Sequence, residues 1–525
     1  MDPHNEREAE DRSREIENGT HLSTTTAGER EPLLRERPNN DASLTFLSRR
    51  SLTMPVHPDG ESGRSGFQLS HFAYVLWRSS NRVSMAMNLF WPIVPVAICL
   101  RYFSNASSTA IFATSYVAMI PVANLLGFAG QEFARKMPKV WGILIETTFG
   151  SIVEIILFMS LLAQHNPDAV GGPDGENASD GNFIPVIQAA VLGSILTNLL
   201  LCLGLCFFVG GIRENVQTFH SAVSEVSNGL ILVAGFGLLI PSAFYSALKG
   251  SALHKNDPQV ILGNPHQKYT SEDLQYDVLR ISQVTSLLLL LSFAVYILFN
   301  VRTNHNIFDE VLESDEHGHE PLSGPLDRST RKEHMEKPKF TMTECILALS
   351  VSLVLVPLFA VILVDRIKDI VDSGVPDQFL GLILLPLVEK AAEHLTAIND
   401  AWNGHMNFAL YHCLGPSIQT ALFNAPLVII VGWIIGKPID LNFEIFMIAL
   451  LVLSILVTGE FLRDNECNYL EGFLMVIIYC IMAVAAWFYP DPDVASSNGD
   501  STASDSLIFL LQQDPELLAK LRAIL

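Results

Sequence analysis

The chain has 525 residues, of which 49% are hydrophobic and only 17% are charged. This balance excludes an ordinary soluble enzyme, and the net charge of −22 argues against a nucleic-acid-binding protein, which needs basic patches. Several apolar runs reach about 20 residues, which is long enough to cross a hydrocarbon core of about 30 Å. The composition therefore predicts an all-α polytopic membrane protein.

The first segment, residues 1–65, is polar and has few aromatic residues, which predicts a disordered cytosolic tail. Within it, Glu29, Leu33 and Leu34 have the spacing of an acidic dileucine signal that a cytosolic sorting adaptor would bind. A chance match in an Arg- and Glu-rich tail explains the same residues equally well. The sorting interpretation favours a vacuolar or lysosome-like membrane.

Apolar segments separated by polar loops occupy most of the remaining chain. They predict about eleven membrane spans, with one N-terminal helix in the region 66–108 and two five-helix repeats at 109–302 and 342–489. An acidic cytosolic linker at 303–341 separates the repeats, and residues 490–525 form a C-terminal tail. The predicted spans are 84–100, 109–130, 140–163, 183–211, 221–247, 281–301, 342–365, 375–399, 407–435, 442–461 and 468–489.

Basic residues near the span ends indicate the orientation of the chain. Arg135, Lys136, Arg213 and Arg302 fall in loops on the same side as the Arg-rich N-terminal tail. Because Lys and Arg accumulate on the cytosolic side, the N-terminus is predicted to be cytosolic. Two repeats with an odd number of spans then cross the membrane in opposite directions, which is the inverted-topology arrangement of many secondary transporters.

Two glutamates, Glu154 and Glu393, each lie inside an apolar segment, one in each predicted repeat. Each is followed by an apolar segment that opens on Leu-Gly, at Gly193 and Gly415. An ionised carboxylate at the bilayer centre costs about 3 kcal/mol or more, so such residues usually have a function. We therefore predict that both glutamates bind a cation where the two repeats meet.

Paired carboxylates suit a transported cation, because hard cations prefer oxygen ligands. Protons compete for the same carboxylates, and that competition is the minimum chemistry of an antiporter. Glu154 and Glu393 are the predicted metal ligands. Auxiliary polar ligands are predicted at Ser151, Ser194, Asn198, Ser417 and Gln419. Modulating ionisable groups are predicted at Glu146, Glu389, Lys390, His394 and Asp400.

The seven cysteines show no disulfide or zinc spacing, so they are interpreted as small packing residues. No cofactor is predicted beyond the transported cation and H⁺, and the predicted partners are the lipid bilayer and these ions. Nucleic acid is not a predicted partner. The sequence leaves open whether the chain forms a homo-oligomer.

Together these motifs resemble the CAX family of cation/proton exchangers, within the calcium/cation antiporter superfamily. The resemblance covers about residues 70–490. It rests on Phe149–Glu154, Gly193–Gly204, Gly210-Gly211, Ala391–His394, Leu414-Gly415 with Gln419, and Leu470–Gly472. It implies eleven helices, an acidic loop between the halves, and proton-driven import of a cation into an acidic vacuole-like store. The family's two central glutamates match Glu154 and Glu393.

The chain departs from the family pattern beside both glutamates. Where the family has Gly-Asn, this sequence has Gly150-Ser151 and Glu389-Lys390, so both asparagine amides are missing. The family's Gly-Ser in the later helix is Gly415-Pro416 here. A lysine at this position should weaken divalent binding by charge repulsion unless it points away or pairs with an acidic neighbour. The sequence is similar to a divergent fungal branch for which monovalent cation exchange has been proposed.

The favoured function is therefore Ca²⁺/H⁺ antiport into a vacuole, with Na⁺/H⁺ or K⁺/H⁺ antiport as the alternative. A cation channel is a more remote alternative, which loss of transport on collapse of the proton gradient would exclude. An intramembrane enzyme using His394 and Asp400 around a metal is the least favoured, because no nucleophile motif accompanies them. The acidic, histidine-containing stretch of the linker is interpreted as a solvated segment rather than a regulatory cation site.

Overall fold

A computed structural model describes most of the predicted membrane region, and the described residues fall within one compact unit. The described residues are 66–78, 82–137, 139–165, 183–249, 270–300 and 339–489, without the side chains of 82, 83, 139–147 and 222. The predictions made for the N-terminal tail, its dileucine residues Glu29, Leu33 and Leu34, almost all of the acidic linker, and the C-terminal tail lie outside these residues.

Helices dominate the first half of the described chain. Ser107 caps the helix that begins at Ser108 with its side-chain oxygen, and the helix that follows residue 270 begins with a Thr270–Asp273 capping box. The elements are α1 (Leu69–Arg78), α2 (Arg82–Met87), α3 (Ile93–Phe103), α4 (Ser108–Ala134), α5 (Lys139–Gln164), α6 (Ile184–Leu196), α7 (Leu203–Arg213), β1 (Gln217–Thr218), α8 (Ser221–Lys249) and α9 (Ser271–Phe299). A 3₁₀ turn, Asn88–Phe90, precedes α3, and a π-helical segment, Thr197–Cys202, joins α6 to α7.

The second half begins with another capping box, in which Thr341 and Glu344 satisfy the first backbone N–H groups of α10. Its elements are α10 (Met342–Asp372), α11 (Asp377–Phe379), α12 (Leu385–Asn403), α13 (Met406–Gln419), α14 (Ala425–Ile434), α15 (Ile445–Phe461), β2 (Glu466–Cys467) and α16 (Tyr469–Trp487). π-Helical segments join α11 to α12 at Leu380–Leu384 and α13 to α14 at Thr420–Asn424.

The predicted membrane spans coincide with these helices, with differences at the ends. Among the described residues, eight helices are long and apolar enough to cross a membrane. The apolar parts of α5 and α15 are shorter, and α12 contains several charged residues, so the count of eleven stays a prediction. The span predicted to start at 281 begins ten residues earlier, because the Thr270 capping box starts α9 in a polar sequence that hydropathy does not mark.

Loop contacts show which helix ends lie together. At one face, β1 pairs with β2 in an antiparallel ladder, and the Arg213 side chain donates to the Trp402 carbonyl. At the other face, the Lys437 ammonium donates to the carbonyls of Leu162, Ala163 and His165 at 2.5–2.9 Å, so it neutralises the C-terminal end of α5. The grouping of these ends agrees with the alternating helix directions predicted from the basic residues.

The two halves pack against each other through equivalent helices of the two repeats. The second helix of each predicted repeat contacts the third helix of the other: α5 meets the α13–α14 helix, and α12 with its π segment meets the α6–α7 helix. At the second of these contacts Gly193 lies against the Leu382 backbone so closely that a Cβ would collide with it. The carboxylate-bearing helices therefore lie at the interface between the halves.

Candidate cation site

Glu154 is completely buried on α5 and is held by the opposite half of the molecule. The Thr420 hydroxyl lies 2.8 and 2.9 Å from its two carboxylate oxygens and donates to them. The Asn424 amide donates to Oε2 at 3.0 Å. Hydrogen bonds to a charged acceptor are stronger than neutral ones, so these two donors hold the Glu154 side chain in a fixed position.

The ammonium group of Lys390 lies between the two central glutamates. Its Nζ is 3.3 Å from Glu154 Oε2 and 3.5 Å from Glu393 Oε2. The lysine side chain is only 2% exposed, so both contacts are shielded from bulk water. One carboxylate comes from each half, and the group that joins them is a cation that belongs to the protein itself.

Glu393 differs from Glu154 in that it faces a cavity. Its side chain is 27% exposed, whereas that of Glu154 is 0% exposed. The cavity has a volume of about 50 Å³. It lies between α4, α5, α12 and α13, and its polar lining consists of Asn124, Gln131, Glu389, Glu393, Thr396 and His412.

Glu389 is the third carboxylate of this region. It is buried, it lines the same cavity, and neither of its carboxylate oxygens has a hydrogen-bond partner among the described residues. A buried carboxylate without donors is costly in its ionised form. Glu389 is therefore a group that can accept either a proton or a cation.

The other predicted ligands pair across the same interface. Gln419 donates through Nε2 to the Ser151 hydroxyl at 2.6 Å, and His394 Nε2 lies 2.8 Å from Asn198 Oδ1. The Ser194 and Thr420 hydroxyls are 3.4 Å apart, and since the Thr420 proton points at Glu154, Ser194 is the donor.

Three predicted residues lie differently from the rest. The Ser417 hydroxyl donates to the Cys413 carbonyl one turn earlier at 3.0 Å, so its proton is used within its own helix. Asp400 lies further along α12, with Oδ2 3.8 Å from His412 Nε2. The Glu146 side chain lies outside the described residues.

Thr420 and Asn424 make the closest polar contacts of Glu154, yet neither was among the predicted ligands. A signal for Thr420 was present in the sequence. Aligning Gly193 with Gly415 places Asn198, a predicted ligand, opposite Thr420, since each residue follows its glycine by five positions. Asn424 is four residues beyond Thr420, on the same helix face.

The site also lies beside three π-helical segments. Thr197–Cys202 contains Asn198, Thr420–Asn424 contains the hydroxyl and amide donors to Glu154, and Leu380–Leu384 ends five residues before Glu389. π-Helical turns often occur at functional sites, because the altered backbone pattern redirects side chains and frees carbonyl groups. Here they widen the helices where the two halves meet.

The net charge of the site determines which cation it can neutralise. When all are ionised, the carboxylates of Glu154, Glu389 and Glu393 and the ammonium of Lys390 leave a net charge equal and opposite to that of one divalent cation. Replacing the Gly-Asn of the family pattern by Glu389-Lys390 therefore adds an acid and a base together, and the balance of charge is unchanged.

A protein-family model described as sodium/calcium exchanger protein matches residues 107–302 and 345–488 of this chain. Among curated proteins, the vacuolar calcium ion transporter of Cryptococcus neoformans var. grubii is 29% identical over 463 residues, which cover 76% of this chain and 72% of that protein. Vacuolar cation/proton exchanger 2 of Arabidopsis thaliana is 30% identical over 409 residues, covering 77% and 82% respectively.

Solved structures share the fold. Native YfkE superposes with a TM-score of 0.55 and 21% sequence identity over 76% of this chain and the whole of that chain. An H⁺/Ca²⁺ exchanger CAX superposes with a TM-score of 0.52 and 12% identity, covering 84% and 95%. At these identities the likeness concerns the fold, and it confirms the predicted class of all-α polytopic membrane protein.

Proposed function

Because this chain belongs to the sodium/calcium exchanger protein family, we propose that it is a secondary active cation/proton antiporter that loads Ca²⁺ into a vacuole. The relatives named above are described as vacuolar calcium or cation/proton transporters, which supports both the substrates and the membrane. An antiporter moves ions across the membrane without converting a substrate into a product, so we propose no enzymatic activity.

One observation carries the proposal: Glu154 and Glu393, from opposite halves, share a single buried cation, the Lys390 ammonium. Two carboxylates that already hold one positive group at 3.3 and 3.5 Å form a site that a transported cation can enter. Because the site lies between the halves, relative motion of the halves exposes it to one side of the membrane and then to the other.

Exchange follows from competition for these carboxylates. Ca²⁺ entering the cavity beside Glu393 binds oxygen ligands of Glu393 and Glu154, and Thr420 and Asn424 keep Glu154 oriented. On the acidic side protons neutralise the carboxylates, and Ca²⁺ leaves. The loaded forms are the ones able to cross, because an uncompensated cluster of buried carboxylates is costly.

Reconstituted vesicles test this function directly. The purified chain is placed in liposomes with an acidic interior, and uptake of Ca²⁺, Na⁺ and K⁺ is measured with and without a protonophore. We expect Ca²⁺ uptake with simultaneous H⁺ release, both lost when the pH gradient is collapsed. Uptake that persists at the same rate without the gradient would mean that the protein is a channel.

A monovalent cation/proton antiporter is the second candidate, and the position of Lys390 favours it. An ammonium group carries one positive charge, so the observed contacts are those of a monovalent cation between two carboxylates. The net charge of the site favours Ca²⁺ if Lys390 stays near it. If Lys390 leaves, either class of cation can replace it.

Lys390→Asn, with Lys390→Arg as the charge-conserving control, distinguishes the two candidates. If the ammonium opposes Ca²⁺, the asparagine variant should gain at least about tenfold in preference for Ca²⁺ over Na⁺, equivalent to ~1.4 kcal/mol. It should also lose stability, because removing one partner of a buried ion pair costs about 3–5 kcal/mol, and added Ca²⁺ should restore it. An unchanged selectivity would remove Lys390 from the ion path.

A further inference from the structure

Three cysteines form a compact cluster beside the carboxylate site. Cys202 and Cys206 belong to the first half, at the end of the π segment and in α7, and Cys413 belongs to α13 in the second half. Cys413 Sγ lies 3.3 Å from Cys202 Sγ and 3.9 Å from Cys206 Sγ, and the three sulfurs all lie within 4.8 Å of one another. All three residues are 0% exposed.

The spacing of these sulfurs is close to that of a thiolate metal site. Metal–sulfur bonds of about 2.3 Å with tetrahedral or trigonal angles place the sulfurs about 3.8–4.0 Å apart. The observed separations bracket this range, so side-chain shifts of less than about 1 Å would complete the site. Thiolates select soft metal ions, whereas Ca²⁺ prefers oxygen ligands, so the cluster is chemically distinct from the carboxylate site.

We propose that Cys202, Cys206 and Cys413 bind a soft thiophilic divalent cation such as Cd²⁺ or Zn²⁺, and that the bound ion links the first half of the molecule to the second. Each thiol that coordinates the ion loses its proton to water, and no electron is transferred. Metal binding stands on the geometry of the cluster and does not depend on the proposed antiport function.

The cluster lies close to the carboxylate site along two helices. Cys202 is four residues after Asn198, whose side chain contacts His394, the residue after Glu393. His412, the residue before Cys413, lines the cavity that contains Glu393. A metal held by the three sulfurs would therefore link the first half to the second next to the candidate cation site.

Binding is tested on the purified full-length chain in detergent, so that the result does not depend on transport. Cd²⁺ is added under reducing conditions, and the ultraviolet thiolate-to-cadmium charge-transfer absorption and the bound Cd²⁺ are measured. We expect a saturable absorption that Cys413→Ser lowers at least tenfold. Cys99→Ser and Cys480→Ser, which alter exposed cysteines, should leave it unchanged.

Equal absorption with and without Cys413→Ser, or its loss in the exposed-cysteine controls, would overturn the metal site. If Cys413→Ser does not fold, Cys206→Ser replaces it, because removal of either sulfur breaks the three-thiol site. Protein without any saturable absorption would overturn the proposal in the same way.

Discussion

Glu154 and Glu393 are equivalent in the sequence pattern, but their surroundings in the folded protein differ. Glu154 is sealed in the interior and receives hydrogen bonds from Thr420 and Asn424 of the opposite half. Glu393 faces a cavity, and within the part of the chain that the structure describes its ion-pair partner is Lys390. One carboxylate is thus fixed by the protein, and the other is open to incoming ions.

In the antiport that we propose, this difference gives the two glutamates separate tasks. A carboxylate with a complete set of donors keeps its position when the bound cation changes, so Glu154 anchors the site and couples the halves. A carboxylate at a cavity wall can exchange one partner for another, so Glu393 is where cation and proton first compete. Lys390 contacts both, and its displacement joins the two tasks.

The largest expected effect comes from neutralising each glutamate. Glu154→Gln and Glu393→Gln should each lower Ca²⁺/H⁺ exchange in vesicles at least about a hundredfold, or ~3 kcal/mol. Only Glu154→Gln should also lower the thermal unfolding temperature clearly, because its new amide donors face the donors of Thr420, Asn424 and Lys390. A greater loss of stability for Glu393→Gln would reverse the assignment of the two tasks.

The glycines that follow the two glutamates test the same asymmetry in the backbone. Gly193→Ala places a methyl group against the Leu382 backbone and should destabilise the protein by about 1–3 kcal/mol through overpacking. At Gly415 an added Cβ meets nothing within 4 Å, so Gly415→Ala is the matched control and should unfold like the wild type. Thermal unfolding in detergent measures both. Equal destabilisation would show that the two halves pack alike.

Removing the donors to Glu154 should have an intermediate effect. Thr420→Val and Asn424→Leu each remove a hydrogen bond to a buried carboxylate, which costs about 1–3 kcal/mol and should reduce exchange about tenfold or more. Ser417→Ala is the control, because its hydroxyl donates to the backbone of its own helix. Initial rates of proton-driven Ca²⁺ uptake provide the measurement. A larger effect in the serine control would contradict the anchoring of Glu154.

The smallest effect is expected at Ser151. Ser151→Ala removes the acceptor for the Gln419 amide and should weaken apparent Ca²⁺ affinity only a fewfold, or about 0.5–1.5 kcal/mol, because Gln419 keeps other interactions. Ser151→Asn restores the amide of the family pattern and serves as the comparison. Ca²⁺ dependence of uptake at fixed pH distinguishes them. A hundredfold loss in the alanine variant would make Ser151 a ligand as important as the glutamates.

The first residues of α9 and α10 show how much of the fold can be predicted from the sequence. The start of α10 at Met342 was predicted, since the hydrophobic run begins directly after Thr341. The span predicted from hydropathy starts at residue 281, ten residues after α9 begins, because the first turns of α9 are polar and only the Thr270 capping box marks them. Hydropathy therefore locates the membrane part of a helix, whereas capping chemistry decides where the helix begins.

Some residues of the candidate site can be recognised in the sequence, and others cannot. Glu154, Glu393 and the asparagine-containing segment after Gly193 stand out because polar residues are rare in apolar helices. Thr420 does not stand out in the sequence, because a threonine in such a helix usually donates to its own backbone, and only the packing of α5 against the opposite half directs its hydroxyl to Glu154.

The sequence by itself determined that this is a helical membrane exchanger, because hydropathy, paired carboxylates and motif order are local properties of the chain. The match to the sodium/calcium exchanger protein family confirmed that resemblance. Only the tertiary structure decided that Lys390, three residues before Glu393, also reaches Glu154, and that Cys202 and Cys206 meet Cys413. The contacts of Lys390 with Glu154 and of Cys413 with the other two cysteines join residues more than 200 positions apart, so they depend on how the two halves pack.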